Sequence, residues 1–157
     1  MDKVLHMIGI AKRAGSLEVG DEPVGAVCRA KKCRLLLLAS DAADNTVRRA
    51  AHFAEAGACL SVTLPYTKAE LGGVTGRSVC AMAAVLEIGM ADAVARLLRE
   101  QDEETYGAVA DRLAEKAARA AQRRREQQIH EERVRGRGVR KPYVPTRIKR
   151  EQKQQQK

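Results

Sequence analysis

Arg34–Thr46, RLLLLASDAADNT, is the stretch that decides the fold. Leu35, Leu36, Leu37 and Leu38 form an uninterrupted apolar run of strand length, and Ala39-Ser40-Asp41 ends it with small and polar residues. Such a run reads as a strand buried on both faces. It needs a layer of structure above and another below. Asp44-Asn45-Thr46 then opens a helical pattern, with Asp44 or Asn45 as its cap. Asp41 belongs to the turn or to a helix cap rather than to catalysis, because Ser40-Asp41 has no evident histidine partner.

Upstream of this strand, Val4, Leu5, Ile8 and Ala11 recur at helical spacing within residues 2–14. Gly15 is the expected C-cap, with Lys12 and Arg13 in the last turn where the dipole favours cations. Residues 16–20 alternate as a short strand, and Asp21-Glu22-Pro23 starts a second helix that ends at Arg29, Lys31 and Lys32. Downstream, a third helix should bury Val47, Ala50, Ala51 and Ala54 and close at Gly57. Residues 59–64 form a strand stopped by Pro65, and Thr67 with Glu70 has capping-box spacing for a short helix ending at Gly72-Gly73. Residues 78–86 are a fourth apolar strand, and Gly89–Arg99 is a helix with Met90, Val94, Leu97 and Leu98 inward. The order α-β-α-β-α-β-α-β-α predicts an α/β fold: a three-layer α/β/α sandwich around a four-stranded mixed sheet. With one Phe and no Trp, Ala, Val and Leu must pack the core.

Beyond Gln101 the composition shifts. Tyr106, Val109, Leu113, Ala117 and Ala120 keep a helical stripe that fades into Arg123-Arg124-Arg125. This predicts a long charged helix of roughly 30 residues, about 45 Å, packed at its first turns. From Val134 onward two Gly, two Pro and many cations predict a disordered basic tail that carries Arg135 and Arg137. The expected divisions are thus a folded domain over 1–101, a charged helix over 102–133 and a tail over 134–157. The formal net charge of +9 hides an asymmetry. Residues 112–157 carry 16 Lys+Arg against 5 Asp+Glu, whereas residues 1–111 carry 13 against 15. A basic arm on a near-neutral domain points to a polyanionic partner, above all nucleic acid.

The chemistry of catalysis is sparse. His6, His52 and His130 are dispersed, and His52 with Glu55 is an HxxE pair without a second pair, so no metal ligand set is read. The chain has no GxxxxGK[ST], no GxGxxG after a strand and no GxSxG. No cofactor and no enzymatic activity are expected. Cys28, Cys33, Cys59 and Cys80 form no CxxC pair and mostly sit in apolar patterns, as buried thiols in a reduced cytoplasmic protein would. No signal-peptide core follows Met1-Asp2-Lys3-Val4, and no apolar run has spanning length.

What remains suits binding. Gly20-Asp21-Glu22 lies where a strand hands over to a helix N-terminus, whose N–H groups can face a phosphate or a base edge. Gly76-Arg77-Ser78-Val79 offers a cation, a hydroxyl and an apolar side chain in one loop. Lys12, Arg13, Lys31, Lys32 and Arg34 are expected near the same strand ends.

Three segments carry a family resemblance: IGIAKRAGSLEVGDEPVGAVCRAKKCRLLLLASDAADNT, TKAELGGVTGRSVCAMAAV and EIGMADAVARLL. In order and spacing, residues 4–99 resemble the kink-turn-binding ribosomal protein family (the archaeal large-subunit seven-Ae type), and most of all its small bacterial YlxQ-like branch. The resemblance implies an α/β/α sandwich that binds structured RNA. It implies contacts through the N-terminus of the second helix, here Gly20–Pro23, and through the loop before the last strand, here Gly76–Val79. Sheared G·A pairs would meet the helix end, and a flipped-out base the apolar part of the loop. Where strong binders of the family carry an Asn-Glu pair and a following Lys, this chain has Glu22, Pro23 and Ala26. The cations are then expected from the arm, at Arg123, Arg124, Arg125, Arg135 and Arg137. The resulting expectation is a monomeric RNA-binding protein of the ribosome or translation apparatus. The alternative is a protein-interaction module, or a translation-factor accessory protein, with no kink-turn selectivity.

Overall fold

The computed structural model describes residues 2–139, with side chains through Gly136. It shows an α/β fold on a four-stranded mixed sheet. The elements are α1 (Lys3–Arg13), β1 (Leu17–Val19), α2 (Asp21–Arg29), β2 (Leu35–Leu38), α3 (Asp44–Gly57), β3 (Leu60–Thr63), α4 (Lys68–Thr75), β4 (Met82–Val85), α5 (Ile88–Gln101) and α6 (Glu103–Val139). Strand order is β1-β4-β2-β3. β2 runs parallel to β3, and β4 is antiparallel to both β2 and β1. In this register Leu35 and Leu17 both face Val85, while Leu38 faces Met82. β1, β2 and β3 therefore start at one end of the sheet and finish at the other.

β2 is central and all four of its leucines are buried. Side chains alternate across a strand, so the run feeds two cores. Leu35 and Leu37 join α1, α4, α5 and the first turns of α6 through Val4, Ile8, Leu71, Val94, Leu98, Tyr106 and Leu113. Leu36 and Leu38 join α2 and α3 through Val24, Cys28 and Ala50. The sandwich follows from one strand that is apolar on both faces. The small β4 residues Ala83 and Ala84 let both helical layers approach closely.

Several expected details shift. α3 starts at Asp44 with Ala43 in the cap position and no side-chain cap hydrogen bond. Its inward face is Ala50, Phe53, Ala54 and Gly57, while Val47 is 42% exposed and Ala51 is exposed. The face is shared with α2, which covers Leu36, Leu38, Met82 and Ala84 through Val24 and Cys28, so α3 needs only a narrow stripe. The left-handed residue after α3 is Ala58 (φ 50°) and not Gly57. Gly57 serves close packing instead, because a Cβ on it would lie 2.8 Å from the Cys28 carbonyl oxygen. α4 does form its capping box at Thr67 and Glu70, but it runs past Gly72-Gly73 to Thr75 and is capped by Gly76 (φ 77°). β4 begins at Met82 rather than near Ser78, which leaves Gly76–Val79 as an exposed loop.

α6 begins at Glu103, after Asp102, whose carboxylate accepts from the Thr105 N–H. Tyr106, Ala110 and Leu113 are buried, and the Tyr106 hydroxyl donates to the Thr63 carbonyl at 2.8 Å. The helix continues to Val139, beyond the expected end at Arg133. Gly136 and Gly138 weaken a helix by about 1 kcal/mol each but keep their N–H donors, so they do not stop it. Residues 140–157, the rest of the expected tail, lie outside the described residues, as does the side chain of Arg137. The chain divides into two compact units, Met1–Ala118 and Arg119–Lys157. Among the described residues no helix is long and apolar enough to cross a membrane.

Candidate nucleic-acid interface

At the finishing end of β1 and β2 the chain turns into α2 through Gly20. Its φ of 99° is a conformation that suits glycine. The Gly20 N–H donates to the Met82 carbonyl, and the Ala39 N–H to the Ala81 carbonyl, so the start of β4 ties both strand ends together. The loop that precedes β4 is thereby brought against the start of α2. A Cβ on Gly20 would lie 3.3 Å from an Arg77 guanidinium nitrogen. The two sequence-predicted recognition segments, Gly20–Pro23 and Gly76–Val79, form one surface.

The loop is held by α4. The Arg77 N–H donates to the Gly72 carbonyl, and the Cys80 N–H to the Lys68 carbonyl. Gly72 admits this approach because it has no Cβ: one would sit 2.6 Å from the Arg77 carbonyl oxygen and 2.7 Å from that of Ser78. Arg77, Ser78 and Val79 are all exposed, and Val79 is one of few large apolar side chains so exposed, at 59%. Below the loop, burial pushes the Cys80 thiol up, while Arg77 and Lys12 pull it the other way. Lys12 is exposed in the last turn of α1, which leads into the start of β1.

Three helices begin at this end, and their caps differ. α4 is closed by its capping box and by Asp41, whose carboxylate accepts from the Lys68 N–H at 2.7 Å. That settles Asp41 as a helix cap. α2 and α3 have no side-chain cap hydrogen bond. Their first N–H groups are open donors, the groups that bind phosphates and acceptor edges. Asp21 at the start of α2 is ion-paired with Arg49 of α3, so the two helices face each other there. Glu22 and Pro23 are exposed, and among the described residues no hydrogen bond or ion pair engages Glu22.

The structure carries Lys31, Lys32 and Arg34 away from this surface. The Arg34 N–H bonds the Val85 carbonyl, so Lys31, Lys32 and Arg34 lie at the starting end of β2, opposite Gly20 and Met82. The expectation that they share one end with the recognition loops is corrected: antiparallel β4 carries the loop before it to the far end. Arg13 is exposed at the end of α1. Arg123, Arg124, Arg125 and Arg135 are exposed on α6, in the second compact unit.

The same starting end holds a group that sequence spacing does not disclose. The Sγ atoms of Cys28, Cys33 and Cys59 all lie within 4.8 Å of one another. The expected thiols are free, with Cys28, Cys33 and Cys80 buried, and their grouping is the new observation. The signal in the sequence is indirect: Cys28 and Cys33 flank the end of one helix, and Cys59 follows the end of the next. Burial first pushes Cys28 up to about 11, and a hydrogen bond to Cys59 raises Cys33. The partner bond from Cys33 holds Cys59 below its ordinary value. His6, His52 and His130 are exposed and join no such cluster among the described residues.

No protein-family model matches this chain, and no curated protein matches it. Solved structures resemble it, and the first shares its fold. A protein with unknown function from Bacillus halodurans C is 24% identical at a TM-score of 0.57, over 62% of this chain and 97% of that one. A 15.5kD RNA binding protein of Giardia lamblia is 17% identical at a TM-score of 0.49, over 61% of this chain and 82% of that one.

Proposed function

We propose that this chain binds structured RNA, without catalysis, on the surface formed by the start of α2 and the Gly76–Val79 loop. The observation that carries the reading is the close approach of Arg77 to Gly20, which joins two segments far apart in sequence. The surface offers what folded RNA requires. Open N–H donors of α2 and α3 meet phosphates or base edges, Arg77 supplies a cation, and Val79 supplies an apolar seat for an unstacked base. The finer reading is a kink-turn-like or ribosomal RNA, in the ribosome or the translation apparatus. It rests on the sequence resemblance of residues 4–99 to the kink-turn-binding ribosomal proteins. Glu22 then stands where a base edge is read and can accept from a guanine N1/N2 edge. The arm from Arg123 onward adds phosphate contacts and a steep salt dependence.

The test is a salt titration of the full chain against a kink-turn RNA and a plain duplex of equal length. Preference for the kink-turn, weakened by Arg77→Ala and by Val79→Ser at unchanged thermal stability, is expected. Equal affinity for the two RNAs refutes kink-turn selectivity. Unchanged affinity in both variants refutes the surface. A protein-docking role is the second reading, favoured by Ile129 and Val134, which are 49% and 54% exposed on α6. A partner retained through nuclease treatment would support it.

A further inference from the structure

We infer that Cys28, Cys33 and Cys59 form a three-thiolate site for a thiophilic d10 cation such as zinc(II), at the sheet end opposite the proposed RNA surface. The three thiols come from separate segments: the last turn of α2, the loop before β2 and the residue before β3. Their Sγ atoms lie within 4.8 Å of one another. Zinc–thiolate bonds of about 2.3 Å in a tetrahedron place sulfurs roughly 3.8 Å apart. A contraction of about 1 Å or less therefore closes the site, which side-chain rotation supplies without moving the sheet.

The surroundings favour a cation over three bare thiols. α2 and α3 both end here, and helix C-termini carry partial negative charge that falls off within the last turn. The two ends touch: Gly57 lies so close to the Cys28 backbone that an added Cβ would meet its carbonyl oxygen at 2.8 Å. No basic residue occupies the last turn of α3 to offset its dipole. Three thiolates around a dication leave one negative charge, and Arg29 and Lys116 lie within electrostatic range of Cys28 and Cys59 respectively. Cys28 and Cys33 are buried while Cys59 is half-exposed, which gives an ion a way in. Three protein ligands leave the fourth position to solvent or an added thiol, as in open zinc sites. A bound ion would tie α2, α3 and the start of β2 together.

The test uses the full chain, reduced and stripped of metal. One equivalent of zinc per chain is expected to bind, to raise the thermal midpoint and to shield three of the four cysteines from alkylation. Cobalt(II) in its place should give thiolate-to-metal charge-transfer bands. Cys59→Ser and Cys33→Ser should weaken zinc binding by roughly a hundredfold or more. Cys80→Ser, a buried thiol outside the cluster, should leave it unchanged. Cys59 is only half-buried, so its variant keeps the test valid if those at Cys28 or Cys33 fail to fold. Zinc binding that survives Cys59→Ser, no uptake by the reduced protein, or a disulfide between two of the three in place of uptake overturns the inference. RNA affinity is a separate readout at the other end of the sheet, so the two proposals fail independently.

Discussion

Replacing Gly72 by alanine puts a methyl group 2.6 Å from the Arg77 carbonyl oxygen and 2.7 Å from that of Ser78. Both are backbone atoms, so no side chain can rotate out of the way. The loop must move outward by roughly 0.6–0.8 Å to reach an ordinary carbon–oxygen separation, straining the Arg77 N–H bond to the Gly72 carbonyl. Overpacking of this kind costs about 1–3 kcal/mol. Alanine returns up to about 1 kcal/mol in helix propensity. The net expectation is a destabilisation of roughly 0–2 kcal/mol. Gly73, the next residue of α4, is exposed and has nothing within 4 Å of an added Cβ. The same substitution there should stabilise by about 0.5–1 kcal/mol. Urea denaturation of both variants reads the difference directly, at constant m-value. RNA binding, measured where both are folded, should weaken for Gly72→Ala, because the displaced segment carries Arg77 and Val79, and stay unchanged for Gly73→Ala. A Gly72→Ala protein as stable as the parent, with unaltered RNA affinity, would show that the loop is not seated on α4 and refute the reasoning.

Three further outcomes follow from the structure. Leu36→Ala empties a fully buried position on the central strand and should cost about 2–5 kcal/mol in equilibrium unfolding. Hydrogen bonding, first from the Tyr66 hydroxyl and then from the Val4 and Leu5 N–H groups, holds Asp2 below its usual range. A depressed carboxyl stabilises above its unfolded value near pH 3.9 and loses that contribution as pH falls through the folded value. Asp2→Asn should therefore flatten the stability curve below about pH 4 while leaving its shape near neutrality. Replacing Arg123, Arg124 and Arg125 together by alanine should reduce the salt slope of RNA binding by about 0.7–0.9 for each phosphate that these arginines neutralise. An unchanged slope would remove all three from the interface.

The sequence alone determined the elements and their layering. Leu35–Leu38 is apolar at every position, so it had to lie between two layers, and the helical stripes around it supplied them. The capping box at Thr67 was legible because capping is chemistry between residues a few positions apart. The charge asymmetry was legible because it needs no geometry. The proposed binding face was half legible: the resemblance pointed to Gly20–Pro23 and Gly76–Val79, but placing Lys31 and Lys32 beside them required the wrong end of the sheet. Only the tertiary structure decided that β4 lies between β1 and β2, antiparallel to both. That pairing brings Arg77 to Gly20 and sends Cys28, Cys33 and Cys59 to the opposite end. The reason is physical. Local patterns record energies between near neighbours, whereas strand order depends on which buried faces share a core. That competition among distant segments is not written at any one of them.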